Sequence, residues 1–183
     1  MPSTEELTVA HYARAELEQA VLAGLEALGA GSTPTTDDLA AVDEFHMGGH
    51  AATIALTAGL PLSPETRVLD IGAGIGGAAR HLATAHRCRV TGIDLTPDYV
   101  ETARRLTRLL SLDDRVDFEL GSAVDLPFDD GRFDVVTLLH VGMNIAEKER
   151  MVSEVQRVLR PGGVFAVYDV MRTGPGEPAF PLP

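Results

Sequence analysis

Apolar and polar positions follow two different periods along the chain. Residues 4–29 carry Leu17, Val21, Leu25 and Leu28 on one stripe, with Ala and Glu between them, which predicts one amphipathic helix. Gly29 and Gly31 stop it, and residues 32–36 read as a loop. A short helix is predicted over 51–58, followed by an extended connector in which Pro61 and Pro64 cannot continue a helix. From residue 66 the period changes. Val68, Leu69 and Ile71 form a short apolar run, and Gly72, Gly74, Gly76 and Gly77 follow at once. An alanine-rich helical stretch then leads to a β-like run at 89–93, which ends in Asp94. Thr96, as a capping hydroxyl, and Pro97, in the first turn, open a helix to residue 112 with Val100, Ala103, Leu106 and Leu110 inward. Arg104, Arg105 and Arg108 form its solvated face. Further strands are predicted at 115–120, 133–140 and 164–170. Between them lie the Asp129-Asp130-Gly131 turn, a helix over 146–159 and the breaker Arg160-Pro161-Gly162-Gly163.

Strands alternating with helices predict an α/β fold: a Rossmann-like, doubly wound parallel sheet in the order 3-2-1-4-5. Residues 1–60 make an N-terminal helical appendage, 61–172 the nucleotide-binding core, and 173–183 a Pro/Gly-rich tail. The appendage either lids the site or packs outside the sheet.

Charge and cysteine usage narrow the function classes. A net charge of −12 argues against nucleic acid as the main partner, since phosphate binding needs a basic face. Cys88 is the only cysteine, which excludes an internal disulfide and a thiolate metal cluster. Its neighbours Arg87 and Arg89 would lower its pKa, against the plainer reading of a packed thiol. No apolar run approaches the ~18 residues of a membrane span, and the N-terminus lacks a signal-peptide pattern, so a cytoplasmic protein is expected.

The glycine run falls in a strand–turn–helix–strand unit, the pattern of a nucleotide-binding βαβ element. Gly72, Gly74 and Gly77 also fit the dinucleotide fingerprint, so spacing alone does not name the ligand. Asp94, ending the second strand, is placed to accept hydrogen bonds from both hydroxyls of a ribose. Asp70 discriminates between ligands. Beside a pyrophosphate it meets like charge; beside the α-ammonium of an amino-acid ligand it meets opposite charge. His140 stands at the carboxyl end of the fourth strand, the edge where open α/β sheets bind ligands, and its near-neutral pKa suits a general base. Asn144 follows in a loop. His46 and His50 are four residues apart, but Gly48 and Gly49 between them argue against a helix, and no third ligand is evident, so no metal site is expected. Arg80 reads as a surface cap or ion pair on the helix after the glycine turn.

Four segments together resemble the class I S-adenosylmethionine-dependent methyltransferases over residues 37–172. They are Asp70-Ile71-Gly72-Ala73-Gly74-Ile75-Gly76, Gly92-Ile93-Asp94, Phe133-Asp134-Val135-Val136 and Leu159-Arg160-Pro161-Gly162-Gly163. The resemblance implies S-adenosyl-L-methionine as cofactor, S-adenosyl-L-homocysteine as product and a small-molecule methyl acceptor. It places Asp70, Gly72, Ala73, Gly74, Gly76, Asp94, Leu95, Ser122, Ala123 and His140 at the cofactor. Members usually carry Gly-Asp-Ala where this chain has Gly121-Ser122-Ala123, with the Asp near the adenine amine; Ser122 is neutral and short, and Asp125 lies three residues on. The segment Phe45-His46-Met47-Gly48-Gly49 is similar to an aromatic-His-x-x-Gly segment in the sarcosine/dimethylglycine and tocopherol/ubiquinone methyltransferases, which packs over the cofactor and lines the substrate pocket. Phe45 and His46 are substrate-side candidates on this basis, Asn144 in the loop after the fourth strand is a third, and His46 is the second base candidate after His140. Two rival readings stand beside this one: an NAD(P)-dependent oxidoreductase, and a non-catalytic or truncated cofactor-binding module. Members also continue past the fifth strand with a helix and two more strands. Here strand 164–170 is then an apolar edge, explained by a fragment, by the tail covering it, or by a homodimer.

Overall fold

The computed structural model describes residues 3–12, 17–27, 29 and 34–174. Five strands, β1 (Arg67–Ile71), β2 (Arg89–Asp94), β3 (Val116–Leu120), β4 (Phe133–Leu139) and β5 (Leu159–Tyr168), form one parallel sheet in the predicted order β3-β2-β1-β4-β5. Seven helices are described: α1 (Thr4–Tyr12), α2 (Leu17–Ala27), α3 (Thr36–Asp43), α4 (Gly49–Thr57), α5 (Gly77–His86), α6 (Pro97–Leu109) and α7 (Lys148–Val158).

Side chains alternate across each strand; β1 and β4 are covered on both faces and read as near-continuous apolar runs, whereas β3 alternates buried and exposed positions. Leu69 and Ile71 of β1 join Ile93, Val136 and Leu138 against Met151, Val155 and Val158 of α7. Val68 joins Val90, Phe118 and Val135 on the opposite face, against Ala79 and Leu82 of α5 and Val100 and Ala103 of α6. A third cluster packs Leu17, Val21 and Leu25 of α2 and Leu39 of α3 against Ile75, Tyr99 and Leu106. Most of the appendage therefore lies outside the sheet, on the α5–α6 layer. Among the described residues, no helix is long and apolar enough to cross a membrane.

Several elements differ from the sequence reading. Of the single helix expected over 4–29, residues 4–12 and 17–27 are helical, and residues 13–16 and Leu28 lie outside the described residues. Helix α3 was expected as loop at its start. It begins with a capping box: the Asp38 N–H donates to Thr35 Oγ1 at 3.3 Å, and the Thr35 N–H donates to Asp38 Oδ2 at 2.8 Å. Thr96 precedes α6 as expected, but its hydroxyl makes no cap. Strand β5 starts five residues earlier than 164, with the Pro161-Gly162-Gly163 run inside it and a register shift opposite Phe133 and Val135. It is the edge of the sheet, with Val167, Tyr168, Val170 and Met171 exposed at its end; the tail beyond Gly174 lies outside the described residues.

Arg80 is the main correction. It is fully buried, not a surface residue. Its Nη2 donates to Asp43 Oδ2 at 2.7 Å and to the Ile75 carbonyl at 2.8 Å, and its Nη1 donates to Thr107 Oγ1 at 3.1 Å. One guanidinium thus ties the end of α3, the glycine turn and α6 together. Burial pushes the Asp43 carboxyl up and the Arg80 guanidinium down, each against the attraction of the other. Cys88 is buried too. Its thiol is pushed up to about 11 by burial, and it donates to the Leu82 carbonyl at 3.2 Å, so the packed reading holds over the activated one.

Candidate active site

Parallel strands all end on the same edge of the sheet, and the loops leaving them build the site. A cavity of about 430 Å³ opens there. Its wall includes the turn after β1, the segments after β2, β3 and β4, the Asp43–His46 stretch between α3 and α4, and one side of α1. Asp70, Gly72, Ala73, Gly74, Asp94, Leu95, Ser122, Ala123, His140, Phe45, His46 and Asn144 all contribute to it. Gly76 does not. Its φ is +90°, and a Cβ there would lie 2.5 Å from the Phe118 ring and 2.7 Å from Arg80. The glycine at 76 serves the close packing of the helix start against the sheet, not the approach of a ligand.

Gly74 has the opposite character. Its φ is +55°, and a Cβ built on it would meet open space. Its N–H donates to Asp94 Oδ2 at 2.9 Å, while Asp94 Oδ1 accepts the Thr96 N–H at 2.9 Å. One carboxylate therefore fixes the glycine turn to the end of β2. Burial raises the Asp94 pKa against these backbone hydrogen bonds.

Asp70 is buried at the end of β1, where Thr137 on the neighbouring β4 donates to its Oδ1 at 2.7 Å. Burial pushes its carboxyl up to about 7, over the opposing hydrogen bond. A half-ionised carboxyl in a cavity wall is a site that gains by meeting a cation. Thr137 was not singled out in the sequence, though a lone hydroxyl within Val135-Val136-Thr137-Leu138-Leu139 was a visible signal.

The wall between α3 and α4 is organised by Glu44, which sequence reasoning missed. Its side chain is 1% exposed. Glu44 Oε2 lies 3.1 Å from His46 Nε2, its Oε1 lies 2.5 Å from His50 Nδ1, and it also accepts from the Thr53 hydroxyl. Burial opposes ionisation, but these hydrogen bonds win and hold the carboxyl down to about 2. The same bond raises the His46 pKa above the usual imidazole value, against burial. With Nδ1 also 3.3 Å from the Met47 carbonyl, both ring nitrogens of His46 face acceptors, an arrangement that favours the protonated ring. His46 and His50 thus share a carboxylate, not a metal-ligand geometry; the described residues contain no cluster suited to a metal ion. Phe45 reaches the cavity but is 60% exposed, at its rim.

His140 is held differently. Its backbone takes φ +56°, and its N–H donates to the Tyr168 carbonyl at 2.7 Å. Its Nε2 is buried and has no hydrogen-bond partner among the described residues. Burial lowers its pKa, so the ring is neutral near pH 7. Asn144, in the 3-10 turn at Gly142–Asn144, is buried, and its Nδ2 donates to the Tyr12 hydroxyl of α1 at 3.2 Å. Helix α1 therefore lines one side of the cavity, while α2 and Leu39 of α3 pack against Ile75, Tyr99 and Leu106.

A βαβ glycine turn, a buried acid after β1, an acid after β2 and a neutral histidine after β4 define a Rossmann-like site for an adenosyl ligand that carries a cation. The chain belongs to the class I S-adenosylmethionine-dependent methyltransferases: the family model described as "Methyltransferase domain" matches residues 69–167. Its cofactor is S-adenosylmethionine. Relatives act on nitrogen and on oxygen. A glycine/sarcosine/dimethylglycine N-methyltransferase of Actinopolyspora halophila is 41% identical over 60% of this chain and 20% of its own length. A probable tocopherol O-methyltransferase of rice (Oryza sativa subsp. japonica) is 40% identical over 52% of this chain and 26% of its own. A geranyl diphosphate methyltransferase solved with GPP and sinefungin matches with TM-score 0.62 and 27% identity, over 65% of this chain and 44% of that one. The chain spans between 20% and 49% of the length of the curated relatives it matches. The nicotinamide reading of the glycine turn gives way to this family.

The residues fit the cofactor. Open space at Gly74, a raised-pKa carboxyl at Asp70 and the residue His140 belong to one cavity wall, as a ligand with a flat ribose edge, an ammonium and a reacting end requires.

Proposed function

We propose that this chain transfers a methyl group from S-adenosylmethionine to a nitrogen, oxygen or carbon atom of a small molecule. The observation that carries the proposal is the single cavity in which Asp70, Asp94 and His140 meet. Residues 61–172 hold the cofactor, and helix α1 and the Asp43–His46 stretch of the appendage cover it and shape the acceptor pocket. Asp70 pairs with the α-ammonium, Asp94 accepts from the ribose hydroxyls while anchoring Gly74, and Gly72, Ala73 and Leu95 shape the wall around them. The sulfonium methyl is an already activated electrophile, so the cofactor supplies the hard chemistry. The protein's task is to align the acceptor and exclude water. His140 takes the proton that a nitrogen or oxygen acceptor must shed. Phe45, Asn144 and His46, fixed by Glu44, surround the acceptor.

Two results are expected. His140→Gln should lower kcat by about a hundredfold or more, the scale of a lost general base, while leaving S-adenosylhomocysteine affinity within a few-fold. Steady-state kinetics with an acceptor found by screening small amines, phenols and activated carbon acids measures this; unchanged kcat rejects the base. Asp70 gives a pH dependence. Pairing with the ammonium needs the ionised carboxylate, and the unliganded group titrates at about 7. Affinity should therefore rise about tenfold from pH 6 to above pH 8, with proton release on binding. Calorimetry in buffers of different ionisation enthalpy reads both; affinity flat in pH, with no proton released, would remove Asp70 from the ammonium site. In the unliganded protein the sign is reversed. The folded state binds more protons between the ordinary carboxyl value of 3.8 and about 7, so stability from this group falls as pH rises through that window.

A further inference from the structure

We infer that Glu5, held by Ser122 beyond the carboxyl end of β3, recognises the exocyclic amine of the cofactor's purine, so that helix α1 carries part of the base-specific site. This rests on the cofactor reading above.

The placement follows from sheet order and from the covalent order of the ligand. With the ammonium at Asp70 after β1 and the ribose at Asp94 after β2, the base continues away from β1. In this sheet the next strand is β3. The segment leaving β3, residues 121–124, lines the cavity there. Ser122 is the polar side chain this segment offers. Its Oγ accepts the Val124 N–H at 3.1 Å and donates its one proton to Glu5 Oε1. Asp125, the other nearby acid, is exposed and is not part of the cavity wall.

With the hydroxyl proton spent on Glu5, the pair offers lone pairs and no donor. Such a subsite suits an amino group, which donates, and disfavours a carbonyl at the same ring position, which cannot. Glu5 thus restores the negative charge that Ser122 itself lacks.

The position of Glu5 is built rather than incidental. The Ser3 N–H donates to Glu6 Oε2 at 2.6 Å and the Glu6 N–H donates to Ser3 Oγ at 3.1 Å, which fixes the start of α1 and the direction of its first turn. Core packing accounts for only one end of α1: Tyr12 packs against the cluster around Ile75 and Tyr99, while Thr8 is the helix's only buried residue and Leu7 is 46% exposed. Polar ties at its two ends, Glu5 to Ser122 and Tyr12 to Asn144, seat it over the cavity.

The test compares two ligands on the full chain by calorimetry: S-adenosylhomocysteine and S-inosylhomocysteine, its 6-oxo counterpart. The wild type should prefer the amino form by about tenfold or more, the scale of a charged hydrogen bond. Glu5→Gln should bring the ratio close to one, because a side-chain amide can present either its oxygen or its NH₂. Ser122→Ala, which frees Glu5 from its anchor, should lower the ratio in the same direction by less. The ratio is taken within each variant, so a uniform loss of folded protein cancels. A wild-type ratio near one, or a ratio unchanged in Glu5→Gln, overturns the role of Glu5 while leaving the cofactor reading intact. Failure of the wild type to bind either ligand overturns the cofactor reading, and this inference with it.

Discussion

Asp94→Ala should cost about 3 kcal/mol or more in S-adenosylhomocysteine affinity, a factor above a hundred, because three sets of hydrogen bonds fail together. The ribose loses its acceptor. The Gly74 N–H and the Thr96 N–H, each 2.9 Å from this carboxylate, lose theirs too. The first of these matters most: it fixes the backbone at the one glycine of the turn whose Cβ position opens into the cavity. The effect should therefore exceed that of deleting a side chain that only touches the ligand. Asp94→Asn keeps one carbonyl oxygen and should fall between the two. Calorimetric titration of both variants, with thermal melts to confirm folding, measures this. Wild-type affinity in a folded Asp94→Ala would reject both the anchoring and the ribose role.

The second large effect concerns stability. Arg80→Ala should destabilise the fold by about 3–5 kcal/mol, the scale for leaving one partner of a buried ion pair uncompensated. For a domain of this size that lowers Tm by about 10 °C. The stranded partner is Asp43, whose side chain is 1% exposed. Three carbonyl or hydroxyl groups, on Ile75, Ala103 and Thr107, lose their donor in the same step. Asp43→Ala should be comparably damaging. The paired change Arg80→Met with Asp43→Leu should cost much less than the two single losses added, since no charge is then left buried. Thermal and urea unfolding of the four proteins tests this; single variants within about 1 kcal/mol of wild type would contradict the clamp.

These two predictions also show where the sequence was readable. The sheet and its order were legible because β1 and β4 are covered on both faces, so they read as near-continuous apolar runs bounded by glycine and turn residues. Asp70, Asp94 and His140 were legible because a parallel sheet delivers every strand end to one edge, and a residue's place at a strand end can be read from periodicity. Arg80 was not. On a helix of ten residues a lone arginine looks solvated, and its partner Asp43 lies 37 positions away on a helix with little apolar content. That helix did leave a trace, the Thr35–Asp38 capping pair, which the surrounding polar residues obscured. Glu5, Tyr12 and Glu44 left none. Glu5 meets Ser122 across 117 positions and Tyr12 meets Asn144 across 132, and no spacing rule reports contacts of that length. Gly76 misled in the other direction: the motif groups it with the ligand-facing glycines, whereas its missing side chain makes room for Phe118 and Arg80.

The most direct test of the central claim is calorimetric titration of the wild-type chain with S-adenosylhomocysteine, with NADH as control. The account predicts saturable one-site binding of S-adenosylhomocysteine, tighter above pH 7 than below it, and no binding of NADH. Binding of NADH instead, or of neither ligand by folded protein, would contradict it.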